Sequence, residues 1–287
     1  MDRRTILYRG SLKSCNYHCG YCPFSKHRCS ERELEKDRTH WFRFCESLNE
    51  RAEALNIRAL MVVPYGEALI HPWYWEGLGA LTKLDAIDAA GAQTNLSFSI
   101  GRSLEIFEHA GGVREKLRLW ATFHPEMTSC GEFAEKCAAL RREGILFCAG
   151  AVGVPENLEV LQRLREMLPR EVYLWINAMD GLGRSYTEDE FQRFSSIDPY
   201  FYREIRPVPA DESLCRSRLF VEADGTVRRC NISAASGKNW YEHPQELFEE
   251  IPCRRKRCSC YLAYGGREDA VNHTLFGPDP VFRIKTK

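Results

Sequence analysis

Apolar residues follow two rhythms along this chain. Short continuous or alternating runs recur at Ile6-Leu7-Tyr8, Ala59-Leu60-Met61-Val62-Val63, Thr94 to Phe98, Leu117 to Phe123, Ile145 to Val154 and Val172 to Asn177. These predict six strands, and the unbroken run Ala59 to Val63 predicts one buried on both faces. Helical spacing fills the gaps. Leu34 to Leu55 carries a stripe of Trp41, Phe44, Leu48 and Leu55, and Trp75 to Ala89 reads as a second helix. In a third, Phe133, Cys137 and Leu140 recur at i, i+4, i+7 and Gly144 supplies the C-terminal cap. Leu158, Leu161, Leu164 and Leu168 line one face of a fourth. Repeated strand–helix units imply right-handed crossovers and a parallel sheet covered by helices. Six units are too few to close an eight-stranded barrel. The expected fold is therefore α/β, a partial (β/α)6 TIM-like barrel over residues 1–205.

The rhythm changes after Pro207-Val208-Pro209. Two short apolar runs, Leu219 to Ala223 and Thr226 to Arg229, flank Asp224-Gly225, a pair suited to a two-residue primed turn. A short helix is expected within 244–251, and the tail from Gly277 reads as an extended terminal segment. Residues 206–287 thus form the second, smaller, cysteine-rich domain.

Composition removes several classes of partner. Forty basic residues balance forty acidic ones, so no nucleic-acid surface or anionic membrane is expected. The N-terminus has no apolar signal segment, and no stretch is apolar enough to span a bilayer, which predicts a cytoplasmic protein. Thirteen cysteines in a reducing compartment point to metal binding or catalysis rather than disulfides. Five of them, Cys29, Cys45, Cys130, Cys137 and Cys148, are scattered and read as small buried hydrophobes or plain thiols. The other eight fall into two clusters.

The first cluster is Cys15-Asn16-Tyr17-His18-Cys19-Gly20-Tyr21-Cys22. Three soft thiolates on one loop suit an iron–sulfur cube, whereas structural zinc usually takes four ligands in two separated pairs. Three ligands leave one iron of a [4Fe–4S] cluster open, as a catalytic metal needs. With Tyr21 as the aromatic residue before the third cysteine, the motif resembles the signature of the radical S-adenosylmethionine (SAM) superfamily. The resemblance implies that the open iron chelates SAM. Reductive cleavage then yields a 5′-deoxyadenosyl radical that abstracts a substrate hydrogen.

Further positions fit this resemblance. Pro64-Tyr65-Gly66-Glu67 follows the second strand, where the superfamily carries a Gly-Gly-Glu-Pro-like run, with Tyr65 in place of the first glycine. It implies that Gly66 lets the backbone approach the ligand and that Glu67 accepts from the SAM ammonium. Asn95, Gly153 and Asn177 are further implied SAM contacts at strand ends, and Tyr21 belongs to the same cofactor site. His124 and Glu126, just past the fourth strand, face the same mouth.

The second cluster is Cys215, Cys230, Cys253, Cys258 and Cys260. The Cys215…Gly225…Cys230 spacing resembles the auxiliary-cluster extensions called SPASM and twitch domains, and five cysteines match the smaller, twitch form. That implies a second [4Fe–4S] cluster on four of the five, with zinc as the alternative metal. Cys215, Cys230, Cys258 and Cys260 are the favoured set. The resemblance further implies a peptide or small-molecule substrate, an electron-donor protein such as a flavodoxin or ferredoxin, and an oxidoreductase or maturase reaction. A glycyl-radical-type activase and a non-catalytic zinc-binding adaptor are the alternative classes.

Overall fold

In the computed structural model, which describes residues 3–24, 26–205, 208–209, 217–242, 246–248, 257–258 and 274–285, strand and helix alternate as the pattern predicts. The order is β1 (Arg4–Arg9), α1 (Glu31–Arg51), β2 (Ile57–Val62), α2 (Pro72–Thr82), β3 (Ala89–Thr94), α3 (Ile100–His109), β4 (Leu117–Phe123), α4 (Cys130–Arg142), β5 (Leu146–Gly153), α5 (Leu158–Met167) and β6 (Leu174–Ala178). Then come α6 (Glu188–Ile197), α7 (Tyr202–Ile205), β7 (Val208–Pro209), β8 (Arg218–Glu222), β9 (Thr226–Arg228), β10 (Ala235–Asn239) and β11 (Arg257–Cys258). Strands β1 to β6 pair in parallel, each with the next. The partial parallel (β/α)6 barrel is thus present.

Three helix starts are set by the same chemistry. Ser30 with Glu33, Ser129 with Glu132 and Thr187 with Glu190 each form a capping box, satisfying two backbone donors that the helix cannot. Alternation along the strands then sorts side chains into two layers. Ile6, Tyr8, Leu60 and Val62 join Trp41, Phe44 and Tyr74 beneath the helices. Leu7, Met61, Val63, Trp120, Cys148, Trp175 and Phe220 fill the opposite, concave face. Both layers are buried, so each of these large side chains contributes roughly 1.5–3 kcal/mol of transfer free energy.

Three elements depart from the sequence reading. The third strand is Ala89–Thr94, not 94–98, and α2 stops at Thr82 rather than Ala89. Its sequence, AAGAQT, is rich in alanine, a strong helix former, yet Ala89, Ala90 and Ala92 are fully buried between neighbouring strands. The hairpin has a three-residue connection, 223–225, rather than a two-residue one. Gly225 takes φ +88°, its amide donates to the Glu222 carbonyl at 2.9 Å, and a left-handed residue closing a three-residue loop is the next most common hairpin solution. Strand β8 pairs in parallel with β1, so β8, β9 and β10 extend the barrel sheet in the order β10-β9-β8-β1-β2-β3-β4-β5-β6. The short helix expected within 244–251 lies mostly outside the described residues.

The tail is packed, not extended over the surface. Phe276, Val281 and Phe282 enter the concave layer, and Asp279 holds Arg3 through bonds of 2.9 and 2.7 Å. Arg283 is fully buried, its guanidinium 4.5 Å from the Trp120 ring, 4.7 Å from the Trp175 ring and 3.5 Å from Glu204 Oε1. Burial pushes the Glu204 carboxyl from its usual 4.5 up to about 7, against the pull of the Arg283 charge. A carboxyl raised on folding holds its proton in the native state where the unfolded chain has lost it. Its contribution is therefore complete below pH 4.5 and disappears as pH rises towards 7. Wild-type unfolding free energy should fall over that window by roughly 3 kcal/mol relative to Glu204→Gln, measured by urea melts at several pH values. Parallel pH profiles for the two proteins would refute the protonation account.

Candidate active site

The cysteine loop leaves β1 and returns to α1, and backbone contacts hold it from below. Gly66 is where the two loops touch: a Cβ there would fall 1.7 Å from the Ser14 carbonyl oxygen. The Glu67 amide donates to that same carbonyl at 3.1 Å. The close approach that demands glycine is thus to the chain entering Cys15, where the sequence had suggested the ligand.

Glu67 is 2% exposed and ties its own loop to the end of β3. It accepts from the Leu69 amide (3.1 Å), the Thr94 hydroxyl (2.8 Å) and the Asn95 amide (2.6 Å). Burial nevertheless pushes its carboxyl up to about 7. Three of about four acceptor directions are thereby used, leaving one on Oε2. Asn95, held by Glu67, reaches over to the cysteine loop. Its side-chain amide donates to Asn16 Oδ1 at 3.1 Å and lies 3.7 Å from Cys15 Sγ.

The far side of the loop leans on the end of β4. Glu126 accepts from the Gly20 amide at 2.6 Å, and His124 Nδ1 lies 2.9 Å from the Tyr21 hydroxyl and 3.4 Å from Cys19 Sγ. Burial pushes His124 down to about 4, so the ring is neutral at pH 7. Tyr21, named from the motif, therefore joins the loop to the barrel. Within the loop, the Tyr17 amide donates to Cys15 Sγ at 3.3 Å and the Cys22 amide to the Cys19 carbonyl at 3.2 Å.

Cys15, Cys19 and Cys22 share one pocket with Glu67, Asn95 and His124, a cavity of ≈ 160 Å³. It opens past the C-terminal ends of the parallel strands, where ligands of such folds bind. Gln93, Thr122 and Tyr65 also line it and were not singled out from the sequence. Thr122 lies near the C-terminal end of a predicted strand, and that position was the available signal; Gln93 precedes the strand read at Thr94 to Phe98 and reaches the mouth only because β3 is Ala89–Thr94.

Gly153 and Asn177 lie at the ends of β5 and β6 but outside this pocket's lining. The Gly153 carbonyl accepts from the Tyr186 hydroxyl at 2.8 Å, and the Asn177 side chain donates to the Ala178 carbonyl at 3.1 Å. Of the second cysteine cluster, Cys230 is half-buried, with its amide 3.2 Å from Ser233 Oγ. Cys258 lies on β11, paired with Val208 of β7. Cys215, Cys253 and Cys260 lie outside the described residues.

The parallel barrel with a three-cysteine loop at its mouth has the radical SAM fold. Among solved structures the chain is similar to Streptococcus suis SuiB bound to S-adenosylmethionine, at TM-score 0.54 and 11% identity over 98% of this chain and 72% of that one. It is also similar to anSMEcpe with bound AdoMet and Cp18Cys peptide, at TM-score 0.55 and 15% identity over 86% and 80%. At these identities the likeness is one of fold. No protein-family model matches the chain, and no curated protein does. Among the described residues no helix is long and apolar enough to cross a membrane.

Proposed function

We propose that this chain is a radical SAM enzyme whose catalytic [4Fe–4S] cluster is held by Cys15, Cys19 and Cys22. The observation that carries the reading is the convergence of these three thiols on one pocket at the barrel mouth. The donor set fits the group. Three soft sulfur donors lining one pocket suit the irons of such a cluster. When bound, the cluster supplies the electron that cleaves SAM to a 5′-deoxyadenosyl radical.

The chain's own groups do the positioning. Glu67 fixes the Asn95 backbone, and its remaining Oε2 direction suits the SAM ammonium. Asn95 and the Tyr17 amide direct N–H groups at Cys15 Sγ, contacts that tune the potential of an iron–sulfur centre. Neutral His124 and Tyr21 hold the Cys19 side of the loop. Gly153 and Asn177 would meet the more distant, nucleoside end of SAM.

The substrate class is a peptide or a small polar molecule. The peptide in the anSMEcpe complex supports the first of these. The second cysteine group, Cys215, Cys230, Cys253, Cys258 and Cys260, would hold an auxiliary [4Fe–4S] cluster that takes an electron from the substrate radical. A flavodoxin or ferredoxin would supply the reductant. The test is anaerobic reconstitution with iron, sulfide and SAM analysis. About eight irons per chain and dithionite-dependent 5′-deoxyadenosine are expected, and about four irons would remove the auxiliary cluster alone. Zinc in place of iron, with SAM left intact, would overturn the proposal.

A further inference from the structure

The loop returning from Cys22 to α1 brings three unlike ligand types together. His27, Cys29 and Glu33 place a ring nitrogen, a thiol sulfur and a carboxylate oxygen within 4.8 Å of one another. The start of α1 causes this convergence. Ser30 is the N-cap, so the chain turns at Cys29 and Glu33 swings back from the first helical turn.

The carboxylate is oriented before any ion arrives. Glu33 Oε2 accepts from the Ser30 amide at 2.8 Å and the Ser30 hydroxyl at 2.9 Å. Its other oxygen, Oε1, then faces His27 Nε2 at 3.2 Å. A carboxylate whose second oxygen is held by the protein is a typical ligand of a built metal site. His27 and Glu33 are half-exposed, which gives an entry path and leaves room for water in the remaining positions.

We propose that His27, Cys29 and Glu33 bind a divalent cation of the zinc type, separately from the three-cysteine loop. Imidazole, thiolate and carboxylate together form a borderline donor set, which suits Zn²⁺ better than the hard Mg²⁺ or Ca²⁺. The positive end of the α1 dipole opposes a cation here, and the two negative charges of thiolate and carboxylate outweigh it. The consequence concerns the cysteine loop. His27 bridges in parallel to Ser14, and the Lys26 ammonium donates to the Cys19 carbonyl at 3.1 Å. An ion on His27, Cys29 and Glu33 would fasten this return segment to α1 and so brace the loop on its outer side.

The test is anaerobic titration of the iron-loaded full chain with Zn²⁺ against a chromogenic chelator, repeated with Co²⁺ as a spectroscopic probe. One equivalent of zinc per chain is expected, with a thiolate-to-cobalt charge-transfer band. Cys29→Ser should abolish the band, and His27→Ala should weaken zinc binding at least about tenfold, since each removes one of three ligands. Both effects should persist in Cys15→Ala/Cys19→Ala/Cys22→Ala, which separates this site from the cluster. Zinc binding unchanged in both single variants would overturn the proposal, as would binding lost only with the three loop cysteines. His27→Ala leaves the Ser30–Glu33 cap intact, so it reports even where Cys29→Ser folds poorly.

Discussion

Cys15→Ala/Cys19→Ala/Cys22→Ala should lose about four irons per chain and bring 5′-deoxyadenosine formation to background. The physical basis is that all three proposed ligands of one metal centre leave together while the barrel beneath is untouched. Cys19 is buried at the loop's centre, but Cys15 and Cys22 are only half-buried, and none of the three belongs to the two hydrophobic layers. Far-UV circular dichroism and the melting transition should therefore stay close to wild type. Any auxiliary cluster should survive, leaving roughly half the iron in place. SAM cleavage retained by this variant would exclude the three-cysteine loop as the catalytic centre.

Gly66→Ala should detach the same loop without touching a ligand. Its Cβ would sit 1.7 Å from the Ser14 carbonyl oxygen and 2.4 Å from the carbonyl carbon, both backbone atoms that no rotamer change can move. Either the Ser14 segment shifts or the loop after β2 does, and the Glu67 amide loses its 3.1 Å bond to Ser14. Overpacking of this kind costs about 1–3 kcal/mol, a factor of roughly 5 to 150 in an equilibrium. We expect cluster retention to weaken by that factor while the circular dichroism spectrum is preserved. Full iron content in Gly66→Ala, measured after gel filtration, would show that the contact does not govern the loop.

The two variants separate different parts of the site. The first removes the sulfur donors, and the second removes the surface on which they are presented. A variant pair at Asn95 would not separate these parts, because its backbone and side chain serve Glu67 and the cysteine loop at once.

How far the chain could be read in advance varies by element. α1 was legible because Trp41, Phe44 and Leu48 recur on one face, and all three are fully buried. β5 and β6 were legible from apolar runs bounded by Gly144 and by polar turns. β3 was misread because small residues at the centre of a sheet look like helix formers, and only the neighbouring strands give Ala89, Ala90 and Ala92 a reason to be there. The tail was misread for a related reason. Pro278 and Pro280 suggest an extended terminus, but the concave face of the barrel offers Phe276, Val281 and Phe282 an apolar surface that no local pattern announces.

At the site, the sequence by itself supplied the proposed donor set: three thiols at fixed spacing after the first strand. It also marked Gly66, Glu67 and Asn95 as residues of interest, through the positions they share with the superfamily's pattern. Tertiary structure alone decided what those residues touch. The partner of Gly66 is Ser14, and the three donors to Glu67 come from two different segments. His124 and Cys19 are 105 positions apart in the chain yet in contact. Ligand identity is a property of spacing along the backbone, which sequence records directly. Support is a property of approach across strands, set by the parallel register and by burial, and it exists only once the sheet has assembled.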